Sequence, residues 1–134
     1  MAIARELGLS ARIIDIIDAV NFAAAHATFN GHDLGLMIAE YADNRVTPFG
    51  VVSLEERLAD LEERYGRLYP LPEQIKQRKL FQEYSRRIEH YLCAKLRLEP
   101  NKINNDSVKA VIPKLYQIQI VTPATAVLDS DVRT

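Results

Sequence analysis

The sequence predicts an all-α protein, folded as a compact bundle of about five helices. Apolar side chains recur at helical spacing through most of the chain. Capping residues precede these segments, and glycine or proline follows them. Only one short stretch alternates as a strand would, and no second strand is available to pair with it. Apolar residues make up 48% of the chain and charged residues 26%, which is typical of a globular domain.

The sequence pattern predicts two helices in the first part of the chain. Residues 2–8 form one or two helical turns, and Ser10 caps a longer helix from Ala11 to about Ala27. Asn30-Gly31 then interrupts the helical pattern. The stripe expected to be buried on the longer helix consists of Ile13, Ile16, Ile17 and Val20.

A third helix is expected from Leu34 to about Asn44, with Asp33 as its cap. It is apolar nearly all round, which predicts a central position in the core. The segment 47–50, Thr-Pro-Phe-Gly, has the composition of a turn.

Ser53 and Glu56 have the spacing of a capping box, so a fourth helix begins there and ends at Gly66. Pro72 suits the first position of a long fifth helix, which covers about 73–98 and has a charged outer face. Asp106 or Ser107 starts a short helix that reaches Pro113.

We therefore expect a helical domain over residues 1–113 and a C-terminal extension over 114–134, partly extended or disordered. Residues 115–121 alternate like a strand, but a helical turn or an extended tail is an equally good interpretation.

Composition excludes several classes of function. The net charge of −1 and a pI of about 6.3 give no basic surface for nucleic acid. No apolar run reaches the roughly 20 residues of a membrane span, and no signal peptide is present, so we expect a cytoplasmic protein. The single cysteine, Cys93, excludes an intramolecular disulfide and is expected to be a small buried side chain.

Asp43 is the main candidate for chemistry. It lies late in an apolar helix, where burial of a carboxylate is unfavourable without a partner. The C-terminal end of a helix also favours cations over anions. Asp43 could bind a metal ion, form an ion pair with Arg45, or be exposed where the helix frays.

The sequence Tyr-Ala-Asp-x-Arg-Val at 41–46, followed after a short loop by Val-Val-Ser-Leu-Glu-Glu-Arg at 51–57, resembles the C-terminal part of bacterial HD-domain metal-dependent phosphohydrolases. Segments 8–17 and 104–108 are also similar to that family, so the resemblance covers most of residues 2–112. The fold should then be similar to the C-terminal portion of the HD-domain fold.

The resemblance implies a divalent metal ion (Mn, Mg, Fe or Ni) whose bound water attacks a phosphate ester or nucleotide. Asp43 would be a metal ligand, and Arg45 would orient it or bind phosphate. His26 and His32 are candidates for additional ligands, although a solvent-facing position is the simpler interpretation of His26. The implied partners are a small phosphorylated molecule and a second copy of the chain, because missing front helices would leave apolar faces uncovered.

The chain also departs from the family pattern. The family's first His and its His-Asp pair come many tens of residues before the final Asp, whereas only 42 residues precede Asp43 here. His32-Asp33 lies only ten residues before Asp43, and Asp33 is better explained as a cap. The chain is therefore interpreted as an incomplete or degenerate phosphohydrolase. The alternative is a non-catalytic helical interaction or regulatory module, or a nucleotide-binding domain.

Overall fold

The computed structural model describes residues 2–119, and this part of the chain is all-α, as the sequence predicts. It contains seven α-helices and one short antiparallel hairpin. The helices are α1 Ala2–Glu6, α2 Ala11–Ala19, α3 Ala25–Asn30, α4 Leu34–Asp43, α5 Leu54–Gly66, α6 Pro72–Leu96 and α7 Asn105–Leu115. The strands are β1 Val46–Thr47 and β2 Gly50–Val51, and a 3-10 turn covers Pro100–Lys102.

The described chain divides into two units, the first ending at Asn104 and the second beginning at Asn105. In the first unit, α6 is the central helix and packs against α3, α4 and α5. Two clusters of buried side chains lie along it. One cluster consists of Ala25, Leu54, Leu58 and Phe81, and the other of Met37, Ile88 and Leu92.

The predicted helix starts are confirmed. The Asp33 carboxylate accepts from the Leu36 amide at 3.1 Å and caps α4. Ser53 and Glu56 form the complete capping box of α5, and Pro72 is the first residue of α6. Cys93 is a buried free thiol, as expected.

The helix predicted over 11–27 is wrong as a continuous element, because it is divided into α2 and α3. The Asn21 side chain accepts from the Ala23 amide at 3.0 Å, so it competes with the helical hydrogen bonds of the backbone. The break brings the Phe22 ring against Phe81, with ring centroids 4.3 Å apart. This stacked pair contributes to the core beside α5.

The buried stripe predicted on α2 is also largely wrong. Ile13 and Ile17 are 43% and 44% exposed, and Val20 is 36% exposed. The physical reason is that α2 has its main packing surface against α4 alone. The spacing was correctly interpreted as helical, but it did not show which face the neighbouring helix covers.

The predicted turn at 47–50 is the loop of the hairpin, in which Val46 pairs with Val51 and Thr47 with Gly50. Gly50 has φ 129°, a conformation that favours glycine. Directly after the hairpin, the Val52 amide donates to the Arg45 main-chain oxygen at 2.8 Å. The hairpin therefore holds Arg45 at a fixed position beyond the end of α4.

In the second unit, α7 begins at Asn105 and continues past Pro113 to Leu115. Residues 116–119 do not form a strand. The rest of the strand-like stretch, 120–121, and the tail predicted to be disordered lie outside the described residues. The boundary expected between 113 and 114 stays a prediction.

Candidate functional site

The first unit contains a cavity of about 480 Å³, which we call the α4–α6 cavity. Its walls come from α4, α5, α6 and the segment that connects α2 to α3. Its apolar lining consists of Val20, Phe22, Leu61, Tyr65, Tyr69 and Phe81. Its charged lining consists of Glu40, Asp43, Arg57 and Arg78. A mainly apolar cavity with a few charged groups has the general character of a ligand site.

Glu40 is the most unusual group in this cavity. It is only 2% exposed, and neither of its carboxylate oxygens has a hydrogen-bond partner within residues 2–119. Burial raises the pKa of Glu40 to about 7, and the negative charge of Asp43 adds to this rise. The Thr28 hydroxyl lowers the pKa in part but does not lie in hydrogen-bond geometry with the carboxylate. A buried acid left in this state is a common feature of functional sites.

Asp43 lies one helical turn beyond Glu40, at the last residue of α4. Its side chain is exposed to solvent and forms part of the cavity wall. Among the ion pairs of the described chain, none includes Asp43. The ion pair with Arg45 that was considered as an alternative is therefore not formed.

The two arginines of the cavity are each neutralised by an acid. Arg57 Nη1 lies 3.2 Å from Asp60, and Arg78 Nε lies 3.2 Å from Glu62. Arg78 also donates to the Tyr69 main-chain oxygen at 2.6 Å. Arg57 Nε is buried without an acceptor in the part of the chain that the structure describes. The cavity therefore carries one unsatisfied donor beside the two carboxyls of α4.

Arg45 does not reach the cavity lining but is buried, with only 4% exposure. All five of its N–H groups donate to protein acceptors. The acceptors are the Tyr41 hydroxyl, the Glu89 carboxylate and the main-chain oxygens of Val52, Pro100 and Ile103. A phosphate could bind Arg45 only by displacing some of these bonds.

The structure does not bring His26 and His32 together with Asp43. The His26 ring packs edge-on against Tyr84 at 4.6 Å, and its Nε2 shares a hydrogen bond of 3.0 Å with Asn30 Nδ2. His32 is exposed in the loop before α4, whereas Asp43 ends that helix. Ten residues of helix separate two such ends by roughly 15 Å.

The donors that the structure describes do not fit a metal site. Within residues 2–119, no three His, Cys, Asp or Glu side chains are grouped so that they could hold a metal ion. Glu40 and Asp43 supply two carboxyls at most, and catalytic zinc sites commonly have three protein ligands. A metal at Asp43 would need further ligands from residues outside this range.

Glu40 was not among the candidate residues from the sequence, although a signal was present. It is an acid surrounded in the chain by Met37, Ile38, Ala39 and Tyr41, and it lies on the same helical face as Asp43. An acid at an otherwise apolar helix position predicts either an exposed face or a buried functional group, and the sequence alone could not decide between them.

Comparisons with family models, with curated proteins and with solved structures found no match for this chain. Over residues 2–119, every helix is too short or too polar to cross a bilayer.

Proposed function

We propose that this chain is part of a metal-dependent phosphohydrolase of the HD type, and that the α4–α6 cavity is the portion of the active site that it supplies. One observation carries the proposal. Asp43, the acid that the family resemblance assigns to the metal, lies on the wall of this cavity, one turn from Glu40. A position away from every cavity would have removed the chemical meaning of the resemblance.

In such an enzyme, a divalent metal lowers the pKa of a bound water and neutralises phosphate charge. The described residues do not form a metal cage, so this chain would act together with ligands from another segment or polypeptide. Its own contribution would be the Asp43 carboxylate, the buried acid Glu40 and the aromatic walls that hold the organic part of a phosphate ester. Arg45 would support the end of α4 through its five hydrogen bonds.

Manganese binding tests the proposal directly. Calorimetric titration of the purified chain with Mn²⁺ should give weak binding, because Glu40 and Asp43 supply two carboxyls at most, and Asp43→Asn should weaken it at least tenfold further. Asp18→Asn, which changes an exposed acid on α2, should leave the affinity unchanged. Equal Mn²⁺ affinity in the parent chain and in Asp43→Asn would refute a metal role for this residue.

A non-catalytic ligand-binding domain is the second candidate. It is favoured because no three metal ligands come together and because Arg45 has every N–H engaged within the described chain. This candidate predicts ligand binding that is independent of Mn²⁺, with no phosphate release.

We also propose self-association through α2. Ile13 and Ile17 lie one turn apart on this helix and are 43% and 44% exposed. A contiguous exposed apolar patch can mark a contact between protein chains. Light scattering should show a dimer whose dissociation constant rises at least tenfold in an Ile13→Ser/Ile17→Ser variant. A monomer at all concentrations would exclude this proposal.

A further inference from the structure

We infer that the α4–α6 cavity binds a small aromatic cation, with an amidinium or ammonium group against Glu40 and an apolar body packed against Phe22, Tyr65 and Phe81. The inference rests on the proposed function only in using the same cavity. It requires no metal ion and no catalysis, so it can fail or succeed independently.

The charge balance of the cavity selects a cation. Arg57 is paired with Asp60 and Arg78 with Glu62, so both lining arginines are already neutralised. Glu40 and Asp43 have no ion-pair partner in the described chain. Without a bound metal ion, an anion placed here would face two carboxyls, whereas a cation would supply the charge that they lack.

Hydrogen bonding selects a ligand with at least two N–H donors. Both carboxylate oxygens of Glu40 are buried without a donor from residues 2–119. A buried acceptor in this condition is destabilising, and a charged one is more so. The parallel N–H groups of an amidinium match the two oxygens of a carboxylate. Binding would therefore satisfy both oxygens with one planar group.

The size and lining of the cavity select an aromatic body. A volume of about 480 Å³ lies within the range of roughly 300–1,000 Å³ that small-molecule sites occupy. Phe22 and Phe81 already stack on each other, and Tyr65 and Tyr69 form a second stacked pair with centroids 6.1 Å apart. A flat ring can pack against these aromatic side chains and keep the surroundings of Glu40 free of water.

Benzamidine is a suitable probe, with benzamide as its neutral counterpart of nearly the same shape. In calorimetric or ligand-detected NMR titrations at pH 8, the chain should bind benzamidine at least tenfold more tightly than benzamide. Glu40→Gln should weaken benzamidine binding at least tenfold and leave benzamide almost unaffected. Glu63→Gln, an exposed acid on α5, is the matched control and should change neither affinity.

A second variant tests the location while Glu40 remains intact. Leu61→Trp adds a large side chain at the cavity wall and should weaken benzamidine binding, with the circular dichroism spectrum of the parent retained. Equal affinity for benzamidine and benzamide, or full benzamidine affinity in Leu61→Trp, would overturn the inference. The Mn²⁺ titration of Asp43→Asn tests only the proposed phosphohydrolase, and its result does not change the expected binding of benzamidine.

Discussion

The Arg45 guanidinium lies 3.5 Å from the Glu89 carboxylate, and the Tyr41 hydroxyl connects the two groups. Tyr41 donates to Glu89 at 2.8 Å and accepts from Arg45 Nη1. Burial raises the pKa of Tyr41, and its hydrogen bond to Glu89 raises it further, so the hydroxyl keeps its proton. The network joins the end of α4 to α6 and, through Arg45 Nη2, to the 3-10 turn.

Loss of the Arg45 side chain should therefore be strongly destabilising. Arg45→Met leaves the Glu89 carboxylate without its cation, with Tyr41 as its remaining donor, and removes the side-chain donors to the main-chain oxygens of Val52 and Ile103. Removing one partner of a buried ion pair costs about 3–5 kcal/mol. Urea unfolding should show this loss. Arg86→Met is the control, because Arg86 and Glu55 form an exposed pair worth at most about 1 kcal/mol. If the two variants lost the same free energy of unfolding, the buried network would contribute no more to stability than an exposed ion pair does.

Glu40 predicts an unusual dependence of stability on pH. Its pKa is raised from 4.5 to about 7 in the folded state, so the folded chain holds a proton that the unfolded chain releases. The free energy of unfolding should therefore fall as pH rises from about 4.5 through about 7, by roughly 3 kcal/mol at most. Above pH 7 this contribution should be constant.

Glu40→Gln removes the titrating group and keeps nearly the same shape. Urea unfolding between pH 4.5 and 8 should show that the variant lacks the decline and is more stable than the parent at pH 8. Glu63→Gln should retain the decline, because its acid is exposed. If the free energy of unfolding of Glu40→Gln declined by the same amount over this pH range, the decline would come from a group other than Glu40.

Local signals explain why the helix starts could be predicted. The caps at Asp33 and Ser53 depend on residues within one turn of each other, so the sequence contains all the information that is needed. The break between α2 and α3 was missed because Asn21 has an ordinary helical neighbourhood in sequence. The break at Asn21 is favoured because it allows Phe22 to pack against Phe81, a residue about 60 positions away in the chain.

The same distinction applies to the candidate site. Asp43 is a candidate from the sequence, and it lines the α4–α6 cavity. Whether Glu40 is buried depends on how α3 and α6 pack on α4, and whether Arg45 is free depends on acceptors as far away as Ile103. Such long-range packing cannot be obtained from periodicity in a single sequence.

The capping box predicts a measurable contribution from Ser53. Its hydroxyl accepts from the Glu56 amide at 3.2 Å, while Glu56 accepts from the Ser53 amide at 2.8 Å. Ser53→Ala should lower the free energy of unfolding by about 1 kcal/mol. Ser10→Ala should cost less, because the Ser10 hydroxyl accepts at 3.4 Å without a reciprocal bond. Urea unfolding of the two variants compares them directly, and a larger loss at Ser10 would contradict this account.

The link between α2 and α4 predicts a loss of stability in acid. Arg12 donates to both oxygens of Asp33 at 2.6 and 2.8 Å. This pair, and then the Leu36 amide, holds the pKa of Asp33 well below its ordinary value of 3.8. The stabilisation is therefore present above pH 3.8 and should be lost as pH falls through the pKa of the folded state.

Asp33→Asn can still cap α4 through its side-chain oxygen, but it cannot form the charged pair with Arg12. The unfolding temperature of this variant should be below that of the parent at pH 6, and the difference should narrow steadily as pH is lowered towards 2. Asp18→Asn, on the exposed face of α2, should show no such trend. A difference that stays constant over this range would mean that Arg12 and Asp33 do not interact electrostatically in solution.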